Sequence, residues 1–479
     1  MNYLINDMEP LAPFRFFEEI SAIPRPPLGE QRIADYLEEF AKARGLACYR
    51  DAAHNVLIRK PAAAGRENEP TVLLQAHTDM VAEKRPDVAH DFETDGLTLV
   101  REGDRLFADG TTLGADDGFG VAVMLAVLDD GTLSHPALEC LFTAAEEIGL
   151  VGASRFDYSC LKARYMLNLD SAEEDAVIVG CCGGLRSELT VPVRFAQANA
   201  MGITLTVGGL CGGHSGEDIH RGRLNANVLM GELLTALRAH TPFRIASLTG
   251  GDKSNAIPRD CTVTLVPDSM AVAELFLAEV EGLARAKITA AEDAGLFICT
   301  DTAPVSAMLS YADTDKLMAV LSLPNGILHM RREAPVMPEA SRNLASCRTL
   351  ADKVVFVLSS RSAKESRLAE SRAEQDALAA ALAGSVKYFG IYPGWESAMD
   401  AKLVRAWQEA YRTVTGRETV PTLIHAGLET GLITNAVEGL EAIAVGCNIH
   451  DLHTPHEMME LDSFARIYRT VLLFLQNLH

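Results

Sequence analysis

The stretch ALECLFTAAEEIGLVG, residues 137–152, ends an apolar run with two adjacent carboxylates, Glu146 and Glu147. The run that begins at Leu138 has the length and composition of a buried strand. At the end of such a strand, two ionised side chains repel each other and their desolvation is costly. Solvent, a helix start or a bound cation would each compensate them, and the rest of the sequence must decide among the three.

Similar apolar strands alternate with helices near both ends of the chain. Residues 71–79 (TVLLQAHTD) and 163–171 (ARYMLNLDS) are predicted strands, and residues 116–131 are a predicted apolar helix. Strands that are apolar over nearly their whole length belong to sheets with both faces covered. This pattern predicts an α/β fold in which helices sandwich a mixed sheet.

The middle of the chain has a different sequence pattern. Predicted strands with one solvent-exposed face alternate there with long Ala/Glu-rich segments such as 271–293, which is predicted to be one helix. We therefore predict a discontinuous domain over residues 1–185 and 396–479, with an α+β domain inserted at 186–395.

Composition excludes several classes of function. The chain has 479 residues and a net charge of −22, which argues against binding to nucleic acid or to an anionic membrane. The first residues lack the basic and apolar regions of a secretory signal, and no stretch has the apolar length of a membrane span. The ten cysteines form no CxxC pair. A cytoplasmic protein with reduced thiols is therefore expected.

Acidic and imidazole groups follow the predicted strands of the discontinuous domain. In open α/β sheets such groups gather beyond the carboxyl ends of the strands, which predicts one shared site. The groups are His77 and Asp79, Asp116 and Asp117 at a helix entrance, Glu146 and Glu147, Asp170, and the histidines 450, 453 and 456.

The donors divide evenly between two divalent ions. Such a pair, about 3.5–4 Å apart, shares a bridging carboxylate, and mixed imidazole and carboxylate ligands suit zinc and its neighbours. One ion would take His77 and Asp170, the other Glu147 and His453, with Asp116 shared. Three ligating carboxylates against two dications leave a charge of +1. A bound cation would therefore explain one of the two adjacent carboxylates in residues 137–152, since Glu147 would be a metal ligand.

The other carboxylate is free to move protons. Glu146 is the candidate general base, and Asp79 is placed to hold the second ring nitrogen of His77. Two alternatives stay open. Asp117 competes with Asp116, because either could cap the helix, and His450 is the alternative to His453.

The motifs HTD, GADDG, EEIGLVG, NLDS and HTPHE, in this order, resemble the dinuclear zinc aminoacylase/carboxypeptidase-G metallopeptidase family. Segments such as GGHSGEDIHRGRLNAN, SNAIPR, YPGW and IHAGLETG look like its cytosolic aminoacyl-histidine dipeptidase (peptidase D) branch. The resemblance implies a zinc-exopeptidase-like catalytic domain and the same roles for His77, Asp116, Glu147, Asp170 and His453 as metal ligands. It also implies that Glu146 is the base and that Asp79 is the acid that holds the ring of His77.

The resemblance further implies that the inserted domain is a lid with substrate contacts and the surface of a homodimer. His214 resembles a lid histidine that stabilises the oxyanion, either in its own subunit's site or in that of the partner subunit. Asn255 and Arg361 resemble substrate-binding groups. Arg331, Arg332 and Arg342 are alternatives to Arg361. His425 and Glu429 have either a supporting role at the site or a packing role.

The expected function is hydrolysis of short peptides, such as Xaa-His dipeptides, with β-alanyl-histidine as one candidate substrate. The expected cofactors are two divalent ions, zinc or else manganese or cobalt. Deacylation of N-acyl amino acids, removal of single C-terminal residues, and a non-catalytic metal-binding scaffold remain alternatives.

Overall fold

The computed structural model describes residues 3–332 and 337–479, which form two compact units. The main unit runs to Cys181 and continues over Trp395–Leu423 and Leu428–His479. The inserted unit consists of Cys182–Gly394 and Ile424–Gly427.

The main unit is built on a mixed sheet. In spatial order the strands are β1 (Ala47–Arg50), β2 (Val56–Lys60), β6 (Leu138–Thr143), β3 (Val72–His77), β7 (Tyr165–Asn168), β22 (Glu441–Ala444), β8 (Ala176–Cys181) and β20 (Trp395–Glu396), with β21 (Val420–Leu423) also paired to β8. The central strands β6, β3, β7 and β22 are parallel, while β1, β2 and β20 pair antiparallel with their neighbours.

Every residue of β3, β6 and β8 is buried. Because side chains alternate across a strand, both faces of the sheet are covered, which confirms the predicted α/β class. The helices of this unit are α1 (Leu11–Ser21), α2 (Gln31–Ala43), α3 (Ala115–Asp129), α9 (Lys402–Thr415), α10 (Glu429–Ala436) and α11 (Leu461–Asn477). Phe464 of α11 packs edge to face against Phe14, Phe17 and Phe119, and so ties α11 to α1 and α3.

A small antiparallel sheet completes the main unit. Its strands, in spatial order, are β23 (Ile449–His450), β24 (Met458–Glu460), β5 (Arg105–Ala108) and β4 (Leu99–Glu102). The pairing of β24 with β5 brings the segment around His453 alongside the segment that leads to α3.

The inserted unit carries an antiparallel sheet with helices packed on it. In spatial order its strands are β15 (Phe297–Leu309), β10 (Phe195–Gly208), β14 (Cys261–Pro267), β12 (Phe243–Gly250), β17 (Pro338–Thr349), β18 (Lys353–Ser362), β9 (Gly183–Pro192) and β19 (Ser385–Tyr392), with β16 (Gly326–Met330) on β17 and a separate pair β11 (Gly213–His214) and β13 (Ala256–Ile257). The helices are α4 (Ala226–Arg238), α5 (Met270–Leu277), α6 (Val280–Arg285), α7 (Tyr311–Leu321) and α8 (Glu365–Ala381).

The single helix predicted over 271–293 is wrong, because the segment divides into α5, α6 and a final 3-10 turn. The buried Asp293 carboxylate accepts hydrogen bonds from the backbone N–H groups of Cys211 (2.9 Å) and Leu224 (2.7 Å). These tertiary bonds draw the end of the segment away from the helical path that its Ala-rich composition favours.

Among the helices of the described ranges, none combines the length and the apolar character that crossing a membrane requires.

Candidate metal centre

Three neighbouring parallel strands of the main sheet, β6, β3 and β7, carry four of the predicted site residues at their carboxyl ends. His77 is the last residue of β3 and lies opposite Thr143, the last residue of β6. Glu146 and Glu147 follow β6, and Asp170 follows β7, which pairs with β3 on its other side. Because the carboxyl ends of parallel strands meet at the same edge, residues far apart in sequence become neighbours here.

Asp116 lies between two imidazoles. Its Oδ1 is 2.9 Å from His77 Nε2, and its Oδ2 is 3.1 Å from His453 Nε2. His453 Nε2 is also 3.4 Å from Glu147 Oε2. A carboxylate that offers one oxygen to each of two nitrogen donors has the arrangement of a bridging ligand.

The donors form three overlapping groups, in each of which the ligating atoms lie within 4.8 Å of one another. The groups are His77, Glu146 and Glu147; His77, Asp116 and Asp170; and Asp116, Glu147 and His453. The buried Oε1 of Glu147 has no hydrogen-bond partner among the described residues. Mixed imidazole and carboxylate donors and an orphaned carboxylate oxygen fit a pair of divalent cations.

The Asp79 side chain organises this edge of the sheet. His77 Nδ1 lies 3.1 Å from the Asp79 carbonyl oxygen and 3.5 Å from its carboxylate, so Nε2 is the nitrogen that faces Asp116. The Asp79 carboxylate also accepts the backbone N–H groups of Glu146 (3.0 Å) and Glu147 (3.1 Å). This second contact, which the sequence analysis did not anticipate, ties the β3 end to the adjacent glutamates.

The two aspartates at the start of α3 have different surroundings. The backbone of Asp116 and Asp117 is not helical, and the Asp117 carboxylate accepts the backbone N–H groups of His77 (3.3 Å) and Gly120 (3.0 Å). Asp117 rather than Asp116 therefore caps the regular part of α3 that follows. His450 Nε2 lies 2.9 Å from Glu460 Oε1 and forms no part of the three groups.

Burial and mutual repulsion shape the electrostatics of the site. Burial, with further contributions from neighbouring carboxylates, raises the pKa of Glu146 well above its usual value and the pKa of Asp170 to about 7. Burial lowers the pKa of His453, but hydrogen bonds to Asp116 and Glu147 outweigh it and raise that pKa to about 12. The site therefore attracts positive charge, which two dications would supply.

A model of peptidase family M20/M25/M40 matches residues 73–477. The chain belongs to this family. It is 32% identical over 469 residues to the cytosol non-specific dipeptidase of Escherichia coli (strain K12), with 97% of each protein covered. The structure of aminoacylhistidine dipeptidase from Vibrio alginolyticus matches with a TM-score of 0.84 and 32% identity over 99% of this chain and 98% of that chain. The family resemblance inferred from the motifs is thereby confirmed.

A dinuclear metal-binding peptidase of the M20 family from Bacillus subtilis matches with a TM-score of 0.50 and 10% identity over 97% of each chain. At that identity the match shows a shared fold.

Two buried charged residues of this M20 peptidase support the site and were missed from the sequence. Arg25 donates to the carbonyl oxygens of Thr78 (3.0 Å), Asp79 (3.2 Å) and Gly114 (2.6 Å). Glu457 accepts backbone N–H groups of residues 113–116. The only sequence signal for Glu457 was its place in HTPHE, and Arg25, between two prolines, gave none.

His425 and Glu429, whose roles stayed open, have separate environments. Within the main unit, the Glu429 carboxylate accepts hydrogen bonds from Gln75 (2.6 Å) and Thr143 (2.5 Å), so it joins strands β3 and β6. Within the inserted unit, His425 Nε2 lies 2.7 Å from Ser341 Oγ. Neither residue belongs to the three donor groups.

The inserted unit brings together the predicted substrate-binding residues. Arg361 Nη2 lies 3.2 Å from His214 Nε2, and Nη1 donates to the hydroxyl of Tyr392 at 2.8 Å. The backbone carbonyl of Asn255 accepts the N–H of Ser215 at 2.8 Å, which holds Asn255 beside His214. Arg361 is only 5% exposed, and its guanidinium also hydrogen-bonds with the Cys182 side chain and interacts electrostatically with the Glu217 carboxylate. Such a guanidinium is suited to an anionic ligand.

Proposed function

We propose that this M20 peptidase is a metal-dependent dipeptidase that hydrolyses short peptides with a free C-terminus. The main unit is the catalytic domain and the inserted unit is the lid. The observation that carries the proposal is the position of the Asp116 carboxylate between His77 and His453. The dipeptidases from Escherichia coli and Vibrio alginolyticus, each 32% identical over nearly the whole chain, support it.

His77 and Asp170 would hold one ion, Glu147 and His453 the other, and Asp116 both. Bound divalent ions supply a water molecule of lowered pKa and a polarised scissile carbonyl. Glu146 accepts the proton of the attacking water and delivers it to the amine as the peptide bond breaks. Burial raises the pKa of Glu146, which favours the uptake of a proton that the side chain then returns to the amine. His214 is the proposed group that stabilises the oxyanion.

Arg361 is the proposed partner of the substrate's C-terminal carboxylate. We expect Arg361→Met to raise KM roughly 10- to 100-fold with a smaller change in kcat, because a hydrogen bond to a charged group contributes about 1.5–3 kcal/mol. Steady-state kinetics on a dipeptide measures this effect. Arg342→Met is the matched control, because Arg342 is equally buried but bonds to Ser371 and Glu374. An unchanged KM in Arg361→Met, or an equal rise in the control, would contradict the assignment.

We propose Xaa-His dipeptides, such as β-alanyl-histidine, as substrates. The name of the Vibrio alginolyticus relative supports this preference, whereas the Escherichia coli relative is named a non-specific dipeptidase. A panel of Xaa-His dipeptides, other dipeptides, tripeptides and N-acetyl amino acids tests it. Faster turnover of Xaa-His than of other dipeptides supports the proposal, and equal turnover of all dipeptides contradicts it. Turnover of tripeptides or N-acetyl amino acids points to carboxypeptidase or deacylase activity, and no turnover by the metal-loaded protein contradicts an enzymatic function.

Zinc is the proposed metal, with manganese or cobalt as alternatives. We expect zinc binding to the metal-free protein to release protons, because the pKa values of His77 and His453 are raised in that state. An imidazole must lose a proton before it can ligate, so the apparent affinity should rise with pH. Calorimetric titration in two buffers of different ionisation enthalpy measures the released protons. A heat of binding that does not depend on the buffer would contradict this prediction.

We also propose that the protein is a cytoplasmic homodimer that associates through the inserted unit. The word "cytosol" in the name of the Escherichia coli relative supports the location. Sedimentation equilibrium tests the dimer, and a mass near that of one 51.7 kDa chain at micromolar concentration would contradict it.

A further inference from the structure

Glu457 occupies an unusual place for a carboxylate, since it is 3% exposed and bonded to backbone amides. Oε2 accepts the N–H groups of Leu113 (2.8 Å) and Gly114 (3.0 Å), and Oε1 those of Ala115 (2.8 Å) and Asp116 (3.4 Å). Consecutive N–H groups that converge on one anion form a nest, which here fixes the backbone at the start of α3. Asp116, the central residue of the donor groups, is the last member of this nest.

Glu457 also lies four positions after His453, on the segment that ends in β24. Its N–H donates to the carbonyl oxygen of Thr454 at 3.1 Å, so its own backbone is part of a turn just after His453. One side chain therefore connects the segment that carries His453 to the segment that carries Asp116. The 3.1 Å separation between His453 Nε2 and Asp116 Oδ2 depends on how these two segments are placed.

Arg25 makes the corresponding connection on the other side of Asp116. Its guanidinium is 2% exposed and donates to the carbonyl oxygen of Gly114, whose N–H bonds to Glu457. It also donates to the carbonyl oxygens of Thr78 and Asp79, directly after His77. Arg25 therefore connects the segment that carries Asp116 to the residues just after His77, whose Nε2 lies 2.9 Å from Asp116 Oδ1.

We propose that Glu457 and Arg25 are positioning residues that hold the Asp116 carboxylate between His77 and His453. Glu457 thereby sets the affinity for the second metal ion, which is the one that Glu147 and His453 would hold. This inference rests on the proposed function, because it assumes that Asp116 bridges two ions. Neither side chain belongs to the donor groups, so each acts through the backbone of the Asp116 segment. Outer partners of this kind typically change metal affinity 10- to 100-fold.

The test compares zinc binding by metal-free wild-type protein, Glu457→Gln and Glu174→Gln. Glutamine keeps the shape of the side chain and one acceptor oxygen. Its amide nitrogen cannot accept the two backbone N–H groups that the other carboxylate oxygen accepts. We expect Glu457→Gln to bind the second zinc ion roughly 10- to 100-fold more weakly in a calorimetric titration. Substitution of cobalt, whose absorption reports coordination geometry, should give an altered visible spectrum. A change in global stability alone would not produce either effect.

Glu174 is the matched control because it is also a buried carboxylate of the main unit, bonded to Arg466, Arg417 and Tyr411 instead. Glu174→Gln should lower Tm but keep wild-type zinc affinity and cobalt spectrum. Wild-type affinity in Glu457→Gln, or an equal loss in Glu174→Gln, would overturn the inference.

If Glu457→Gln does not fold, Arg25→Lys provides the same measurement, because lysine keeps the charge but cannot reach three carbonyl oxygens in one plane. Weakened zinc binding in Arg25→Lys supports the inference, and wild-type binding overturns it. Failure of the wild-type protein to bind two zinc ions would instead refute the proposed function, so the two failures can be told apart.

Discussion

Replacement of Glu146 with alanine or glutamine is expected to lower kcat by about 10²–10⁴-fold while both metal ions stay bound, because proton transfer by a positioned base contributes a factor of this size. Glutamine preserves the volume of the side chain but cannot accept a proton from water. The proposed ligands remain in place, so the zinc content should equal that of the wild-type protein. Steady-state kinetics together with metal analysis of the same sample measures both quantities.

Glu139→Gln is the control for this substitution. Glu139 is a buried glutamate of β6, the strand that precedes Glu146. It bonds instead to Arg59 and to the backbone of Lys162 and Ala163. We expect it to lower stability and leave kcat unchanged. Near-normal kcat in Glu146→Gln would refute the assignment of the base, and loss of zinc in that variant would make Glu146 a ligand instead.

Replacement of Asp116 with asparagine is expected to weaken the binding of both ions by more than about 100-fold, since outer partners alone account for 10- to 100-fold. Asparagine has only one carboxamide oxygen and so cannot serve two ions, and the site loses a negative charge that offsets them. Turnover should be lost together with the metals. Zinc titration of the metal-free variant, followed by kinetics at saturating zinc, measures the two effects.

Asp117→Asn separates bridging from capping. Because the Asp117 carboxylate bonds to backbone N–H groups of His77 and Gly120, we expect this variant to lose stability and to keep both ions. N-cap substitutions typically cost about 0.5–2 kcal/mol. If Asp117→Asn loses the metals and Asp116→Asn keeps them, the bridging role belongs to Asp117.

Much of the fold could be predicted because its signals are local. The strand ending at His77 and the strand before Glu146 are mostly apolar on both faces, and that pattern indicates burial on both sides. The break within 271–293 could not be predicted, because it depends on bonds from the Asp293 carboxylate to distant backbone groups. Intrinsic helix propensity is a local property and does not include such tertiary hydrogen bonds.

The supporting residues show the same limit. In sequence, Arg25 and Glu457 look like ordinary surface charges, yet both are buried. Their side chains bond to backbone groups that lie more than fifty positions away in the chain. Charged side chains of this kind leave no periodic pattern, because their partners are backbone atoms that every residue possesses.

The sequence by itself determined which chemical groups the protein offers, since the acids and imidazoles stand at strand ends and helix entrances that local patterning reveals. Only the tertiary structure decided which of them meet. Asp116 faces the two imidazoles and Asp117 caps α3, although the two residues are adjacent and chemically identical. The reason is physical: a carboxylate's role depends on the atoms within a few ångströms of it, and the two imidazoles that meet Asp116 come from positions 39 and 337 residues away.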